Sequence, residues 1–212
     1  MVKTVAGIKI PDSKIAVEAA DLLQEYGNEL LWNHSNRVFL FGAIQGNQSG
    51  LKYDRELLYV SALFHDLGLT EEFSSTDKRF EVDGANAARS FLQQHGIDND
   101  SIRLVWDAIA LHTTIGITEY KEPQVSLIYT GVGYDVMGDG YEEISDELRE
   151  QVISAFPRNN FKQKIIPAFY EGFKHKPETT FGNIKADVIS HFDPSYQHKN
   201  FCSCILHSPW SE

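Results

Sequence analysis

The stretch LYVSALFHDLGLT, residues 58–70, decides how this chain is read. Most of it is apolar or small, as in a helix buried on nearly all sides. His65 and Asp66 then stand side by side, where Gly68 begins to break the helix. An ionised carboxylate and an imidazole are costly to bury unless something pairs with them. A bound cation would do so. A plain His–Asp hydrogen bond accounts for this doublet equally well, so the residues around it have to decide.

Working outward, the pattern stays helical. Pro11, Asp12 and Ser13 form a helix start. Ile15, Ala19, Leu22, Leu23 and Tyr26 recur at helical spacing, and Gly27 and Asn28 can break the helix. Leu30, Leu31, His34, Val38 and Phe41 continue the period, and QGNQSG, residues 45–50, predicts a loop. The helix over residues 54–67 ends near Gly68. Residues 69–82 are polar and irregular. Further helices are expected at about 83–95 and 99–113, after Pro123, at 142–155 and 159–173, and in TFGNIKADVISHF. No strand signal exceeds a few residues. The expected fold class is all-α: one helical domain over residues 12–192. An extended lead-in, residues 1–11, precedes it, and a tail, residues 193–212, packs on it.

Composition bounds the partners. The chain has 212 residues, 42% of them hydrophobic, enough for one full core. With 30 acidic against 19 basic residues and a formal charge of −11, binding to nucleic acid or to an anionic membrane is disfavoured. A small neutral substrate would meet no repulsion. The start lacks a signal-peptide core and no run approaches the ~20 apolar residues of a membrane span, so the expected compartment is the cytoplasm. Cys202 and Cys204 are too close together to staple a fold. With His207 they lack the ligand spacing of a structural zinc site. Tyr196, Phe201 and Trp210 suit packing of the tail on the domain or against a second copy in a homo-oligomer.

Four polar residues sit in otherwise apolar helices: His34, His65, Asp66 and Asp135. His34 alone reads as a satisfied core histidine, and Asp135 alone could cap a turn near Gly133. Together they form a mixed nitrogen and oxygen set that zinc, iron or manganese accepts.

The segments NHSNRV (33–38), LYVSALFHDLG (58–68) and YTGVGYD (129–135) resemble the HD metal-dependent hydrolase superfamily. Within it, LLWNHSNRVFLFG, RFEVDGANAA, AIALHT and PETTFG are most similar to the cyanamide hydratase branch. The resemblance implies that His34, His65, Asp66 and Asp135 hold a divalent metal, zinc first and iron or manganese next. Phe80 stands where many binuclear members carry a histidine, which implies one metal, although His112 keeps a second site open. His112 and Asp66 are expected to handle protons. Glu81 is expected to bond a ligand histidine from behind. Thr113, Thr179, Thr180 and Phe181 are expected to wall the substrate pocket, with Leu69 and Thr70 at its mouth.

The implied reaction is hydration of a small nitrile, cyanamide to urea, by water whose pKa zinc lowers toward about 7. The alternative is hydrolysis of a nucleotide or other phosphate ester. That reaction needs cations around the phosphoryl oxygens, and Arg37, Lys78, Arg79 and Lys185 are available for it. A third possibility, a non-enzymatic HD fold, is disfavoured by the intact ligand set.

Overall fold

A computed structural model describes residues 3–198 together with Cys202 and Cys204. Its helices are α1 (Lys14–Tyr26), α2 (Glu29–Gln48), α3 (Arg55–Phe64), α4 (Phe80–Gln94) and α5 (Asn99–Ala110). They continue with α6 (Pro123–Met137), α7 (Asp146–Ala155), α8 (Phe161–Phe173) and α9 (Lys185–Phe192). The expected all-α class holds. Among the described residues, the strands are two-residue pieces, β1 (Thr4–Val5) and β2 (Ile8–Lys9), paired antiparallel. Ala6 and Gly7 both have positive φ, the backbone that a tight hairpin turn needs. The extended lead-in is therefore this hairpin. No helix among the described residues is long and apolar enough to cross a membrane.

The helices begin where side chains can satisfy free amides. Ser13, Asn28, Asp54 and Asp98 each accept from a backbone N–H of the following turn. The Asn28 cap turns the Gly27 break into a boundary between α1 and α2.

The core is built on α2, which packs along α3 and α6. A side chain at Gly131 of α6 would place its Cβ 2.3 Å from the Val38 carbonyl oxygen of α2. Glycine there lets the two backbones touch and sets their register, bringing His34 level with Asp135. The expected loop at residues 45–50 is helical as far as Gln48. Gln45 and Gly46 are buried, and a Cβ on Gly46 would lie 2.8 Å from Leu127 and 2.9 Å from Tyr53. Packing outweighs the local turn composition. The chain then reverses at Ser49 and Gly50, whose φ is +66°.

Other boundaries shift as well. α4 begins at Phe80, earlier than expected, and α5 ends at Ala110, so His112 lies in the turn beyond it. α3 stops at Phe64, and a short 3-10 turn covers Leu67–Leu69. At Gly68 a Cβ would lie 2.0 Å from the Phe80 carbonyl oxygen. Only glycine allows the turn after the His–Asp doublet to rest on the start of α4. Phe80, Phe173 and Ile189 form a smaller apolar cluster, against which Tyr196 of the expected tail packs. Phe201 and Trp210 lie outside the described residues.

Candidate metal centre

Three elements deliver their side chains to one buried point. His34 comes from the middle of α2, and His65 and Asp66 from the C-terminal end of α3. Adjacent residues on a regular helix point apart. Here the helix gives way between them: His65 keeps helical angles, whereas Asp66 has φ −105° and ψ 3°. That loosened turn lets both side chains face the same way. His112 reaches the same region from beyond α5, with its ring centroid 4.9 Å from that of His65. His34, His65, Asp66 and His112 are all at most 2% exposed.

The tautomers follow from the hydrogen bonds. His65 Nδ1 donates to the Ala62 carbonyl at 2.7 Å and His112 Nδ1 to the Ile109 carbonyl at 2.6 Å. A carbonyl can only accept, so in a neutral ring each Nε2 keeps its lone pair. His34 Nδ1 lies 2.7 Å from Asp135 Oδ2, which fixes the same tautomer. All three Nε2 atoms face Asp66. His65 Nε2 lies 3.2 Å from His34 Nε2 and 3.3 Å from Asp66 Oδ2, and His34 Nε2 lies 3.6 Å from Asp66 Oδ2.

This arrangement fits a metal. Tetrahedral zinc with ligand bonds of about 2.0–2.1 Å has ligand–ligand edges of roughly 3.3 Å. The three edges among His34, His65 and Asp66 match that, and these residues form a metal-capable group. Both Asp66 oxygens are buried without a hydrogen-bond partner, a costly state that a cation would relieve. Burial pushes the His34 pKa down. Burial also opposes charge on His65, but the neighbouring Asp66 carboxylate lifts its pKa above the ordinary value. Asp66 is held well below the ordinary carboxylate range, its burial outweighed by His65 and His112.

Asp135 stands behind His34. Its Oδ2 accepts from His34 Nδ1 and from Arg37 Nη2 at 2.9 Å. Its Oδ1 accepts from Arg37 Nε at 2.8 Å and from Arg158 Nη1 at 2.5 Å. Burial would raise its pKa, but His34 and Arg37 hold it far below the ordinary value. Neither Asp135 nor His112 belongs to the group of His34, His65 and Asp66, whose ligand atoms all lie within 4.8 Å of one another.

Glu81 does not bond a ligand histidine, contrary to expectation. Its buried Oε1 accepts from Thr113 Oγ1, from Arg79 Nη2 at 2.9 Å and from Lys185 Nζ at 2.5 Å. The reason is the turn after α5, which presents the Thr113 hydroxyl to Glu81 while His112 faces Asp66. Burial would raise the Glu81 pKa, but Lys185 and then Arg79 bring it down to about 2. Lys185 is pulled down to about 8 by burial, because Glu81 restores only part of the lost hydration and Arg79 shares the same carboxylate. Sequence reasoning named Lys185 as an available cation but not as part of this cluster.

The expected pocket residues divide. Thr113 and Phe181 line, with Arg79 and Asn183, a cavity of about 690 Å³. Leu69 lies against Gly172 of α8 and lines a separate cavity of about 420 Å³ with Ser74 and His175. Thr70, Thr179 and Thr180 each donate their hydroxyl to a carbonyl three residues earlier, and Thr180 also meets the Tyr196 hydroxyl at 2.8 Å. These three threonines close local turns instead of facing the centre. The centre itself is covered by aromatic rings: Phe161 on His34, centroids 5.0 Å apart, and Phe80 on His112, 5.6 Å apart.

Residues 31–156 match the HD domain family. The chain is a member of that family. Members of the family bind a divalent metal, and the buried group here is a candidate for it. Two curated relatives from Saccharomyces cerevisiae, cyanamide hydratases DDI2 and DDI3, are each 28% identical to it over 149 residues. The match covers 66% of this chain and 66% of each relative, so the chain spans just under two thirds of the relatives' length. Membership and similarity together support metal-dependent chemistry of the HD hydrolase type.

Proposed function

We propose that this HD-domain protein hydrates a small neutral nitrile in a metal-dependent reaction, with cyanamide to urea as the leading case. The observation that carries this reading is electrostatic. Three of the four cations that a phosphoryl clamp would draw on are already engaged by buried carboxylates. Arg37 pairs with buried Asp135, and Arg79 and Lys185 with buried Glu81, while Lys78 meets only Asp77 at the exposed surface, away from these buried groups. A phosphate ester would find these three cations neutralised, whereas a neutral nitrile needs none of them. The names of the two yeast relatives support the same substrate class.

His34, His65 and Asp66 would hold the metal. Zinc is the first choice, and iron or manganese accept the same donors. When bound, the metal supplies the Lewis acidity that activates water for addition. The chain's own groups do the rest. Asp135 fixes the His34 ring. Phe161 and Phe80 exclude bulk water, which strengthens every electrostatic interaction within. Asp66 Oδ1 and His112 Nε2, 3.6 Å apart, are the two groups placed to carry a proton. In the overall change, the water oxygen bonds to the nitrile carbon, both water protons end on the former nitrile nitrogen, the second by tautomerisation of the C(OH)=NH adduct, and nothing leaves. The formal charge of −11 disfavours nucleic acid and anionic membrane as partners and suits action on a small neutral molecule.

The test is incubation of metal-loaded and chelated protein with cyanamide, with urea as the readout. Urea formation only in the loaded sample is the expected result. Turnover of nucleotide monophosphates with none of cyanamide would reverse the reading in favour of phosphate ester hydrolysis.

A further inference from the structure

We propose that a cavity between the start of α2 and the first turns of α8 is a second binding site, apart from the metal centre, for a small oxyanion: a carboxylate or a phosphate. The cavity has a volume of about 350 Å³, at the small end of ligand pockets. Its walls include Glu29, Asn33 and Arg37 of α2, Arg158 and Asn159 of the loop before α8, and Lys164 of α8. None of His34, His65, Asp66 and His112 lines it.

The first argument is a balance of charge. Three cations line the cavity against one acid, Glu29, whose carboxylate also accepts from Asn159 Nδ2 at 2.8 Å. Behind the wall, the single carboxylate of Asp135 serves both Arg37 and Arg158. Three positive charges thus meet two negative ones, and one is left over. Lys164 is exposed on α8 and enters no ion pair among the described residues. On a chain with a formal charge of −11, a local excess of this kind is where an anion can settle.

The second argument is the state of the donors. Arg37 is fully tied: Nε and Nη2 donate to Asp135, and Nη1 donates to the Phe156 and Pro157 carbonyls at 3.2 and 3.0 Å. It lends the cavity charge and a fixed wall. Arg158 is different. It uses Nη1 alone, on the Asp135 carbonyl at 2.9 Å and on Asp135 Oδ1 at 2.5 Å. Its Nε and Nη2 donate to nothing among the described residues. Those two N–H groups form the edge of a guanidinium that meets both oxygens of a carboxylate or phosphate at once. Asn33 adds a neutral donor. It is only 7% exposed, and its side-chain amide has no hydrogen-bond partner among the described residues. Buried amides are seldom left in that state, and an oxyanion bound to Arg158 and Lys164 would relieve it. A neighbouring cavity of about 420 Å³ also has Arg158 in its wall, with Lys162, but no asparagine or glutamine lines it. The unbonded amide therefore favours the smaller cavity.

Calorimetric titration of the full chain with inorganic phosphate and, separately, with acetate, at constant ionic strength, tests the site. Saturable binding of at least one probe is expected, and the tighter probe tells phosphate from carboxylate. Binding should persist in chelated protein, because no metal-centre residue lines the cavity. Lys164→Ala and Asn33→Ala should each weaken it, Lys164→Ala by about tenfold, the usual scale for one hydrogen bond from a charged group. Lys162→Ala, on the same turn of α8 but facing the neighbouring cavity, should leave it unchanged. Lys164 is exposed, so its loss leaves the fold intact and decides the matter even if Asn33→Ala does not fold. Absence of saturable binding of either probe would overturn the proposal. So would binding that disappears on chelation, which would place the anion on the metal. Binding as tight in Lys164→Ala as in the unmodified chain, or weakened only in Lys162→Ala, would overturn it as well.

Discussion

The Lys185 ammonium lies 2.5 Å from Glu81 Oε1, and both side chains are at most 4% exposed. Arg79 and Thr113 share that same carboxylate oxygen, so one acid serves two cations and a hydroxyl. The arrangement makes the two halves of the pair unequal. Glu81→Gln would strand Lys185 and Arg79 together, and breaking a buried ion pair from one side costs ~3–5 kcal/mol. Lys185→Met would leave Glu81 with Arg79 and Thr113 and should cost clearly less. Urea unfolding of both variants checks this. Equal losses would mean that Arg79 does not support the acid.

Acid sensitivity follows from the same residue. Glu81 has a folded-state pKa of about 2 against an ordinary 4.5. Between those values the unfolded chain binds the proton and the folded chain does not. Its contribution, on the order of a few kcal/mol, is therefore fully present above pH 4.5 and lost as pH falls toward 2. Asp66 and Asp135 are shifted in the same direction and extend the loss to lower pH. Stability measured against pH should fall steeply in that window. Glu81→Gln, though less stable at neutral pH, should show a shallower acid slope.

The His65–Asp66 doublet was legible because a polar pair at the end of an apolar helix has few explanations. His34 was legible only in company with it. The helical class was legible from periodicity, since α1 and α5 carry clean apolar faces. The partners of Glu81 were not legible. Lys185 is 104 residues away and reaches it only because the start of α9 is brought against the first turn of α4. The state of Asp135 was hidden for the same reason. Arg37 follows His34 by less than a turn and could have been suspected, but Arg158 arrives from the loop before α8, 23 residues beyond Asp135. Spacing brings a carboxylate to the region, while its lone-pair count depends on tertiary contacts. The QGNQSG stretch was misread because burial of Gln45 and Gly46 overrode its turn composition.

Metal removal should be visible in stability as well as in activity. A ligand that binds only the folded state adds RT ln(1 + [L]/Kd), or about 2.7 kcal/mol at a hundredfold excess over Kd. Chelation should therefore lower Tm, and zinc should restore it. His65→Ala should lose the metal and show no Tm response to either treatment. The unmodified protein also has an orphaned Asp66 carboxylate to relieve. An identical Tm with and without metal would show that the cation does not sit at these buried groups.

Phe161, the first residue of α8, covers the centre on the His34 side. The ring of Phe161, 2% exposed, lies on His34 with centroids 5.0 Å apart, and the guanidinium groups of Arg37 and Arg158 pack over it at 5.0 and 4.6 Å. Two asparagines, Asn159 and Asn160, precede it with φ of 41° and 61°. Consecutive left-handed residues other than glycine are uncommon, though asparagine tolerates them better than most. They set the chain at the angle that drops Phe161 onto the site. Because His34, His65 and Asp66 are essentially closed to water, a small molecule reaches them only when such a cover moves. Phe161→Ala should open that route. The expected result is faster stripping of bound metal by a chelator, with a stability loss of ~3–5 kcal/mol for the truncated ring. Phe161→Leu, which keeps most of the volume, should lie between. Ile166, 43% exposed on the same helix, supplies the control: Ile166→Ala should leave the stripping rate unchanged. Stopped-flow chelation with a coloured zinc ligand gives the rates. If Phe161→Ala released metal no faster than the unmodified protein, access would have to run by a path that avoids α8.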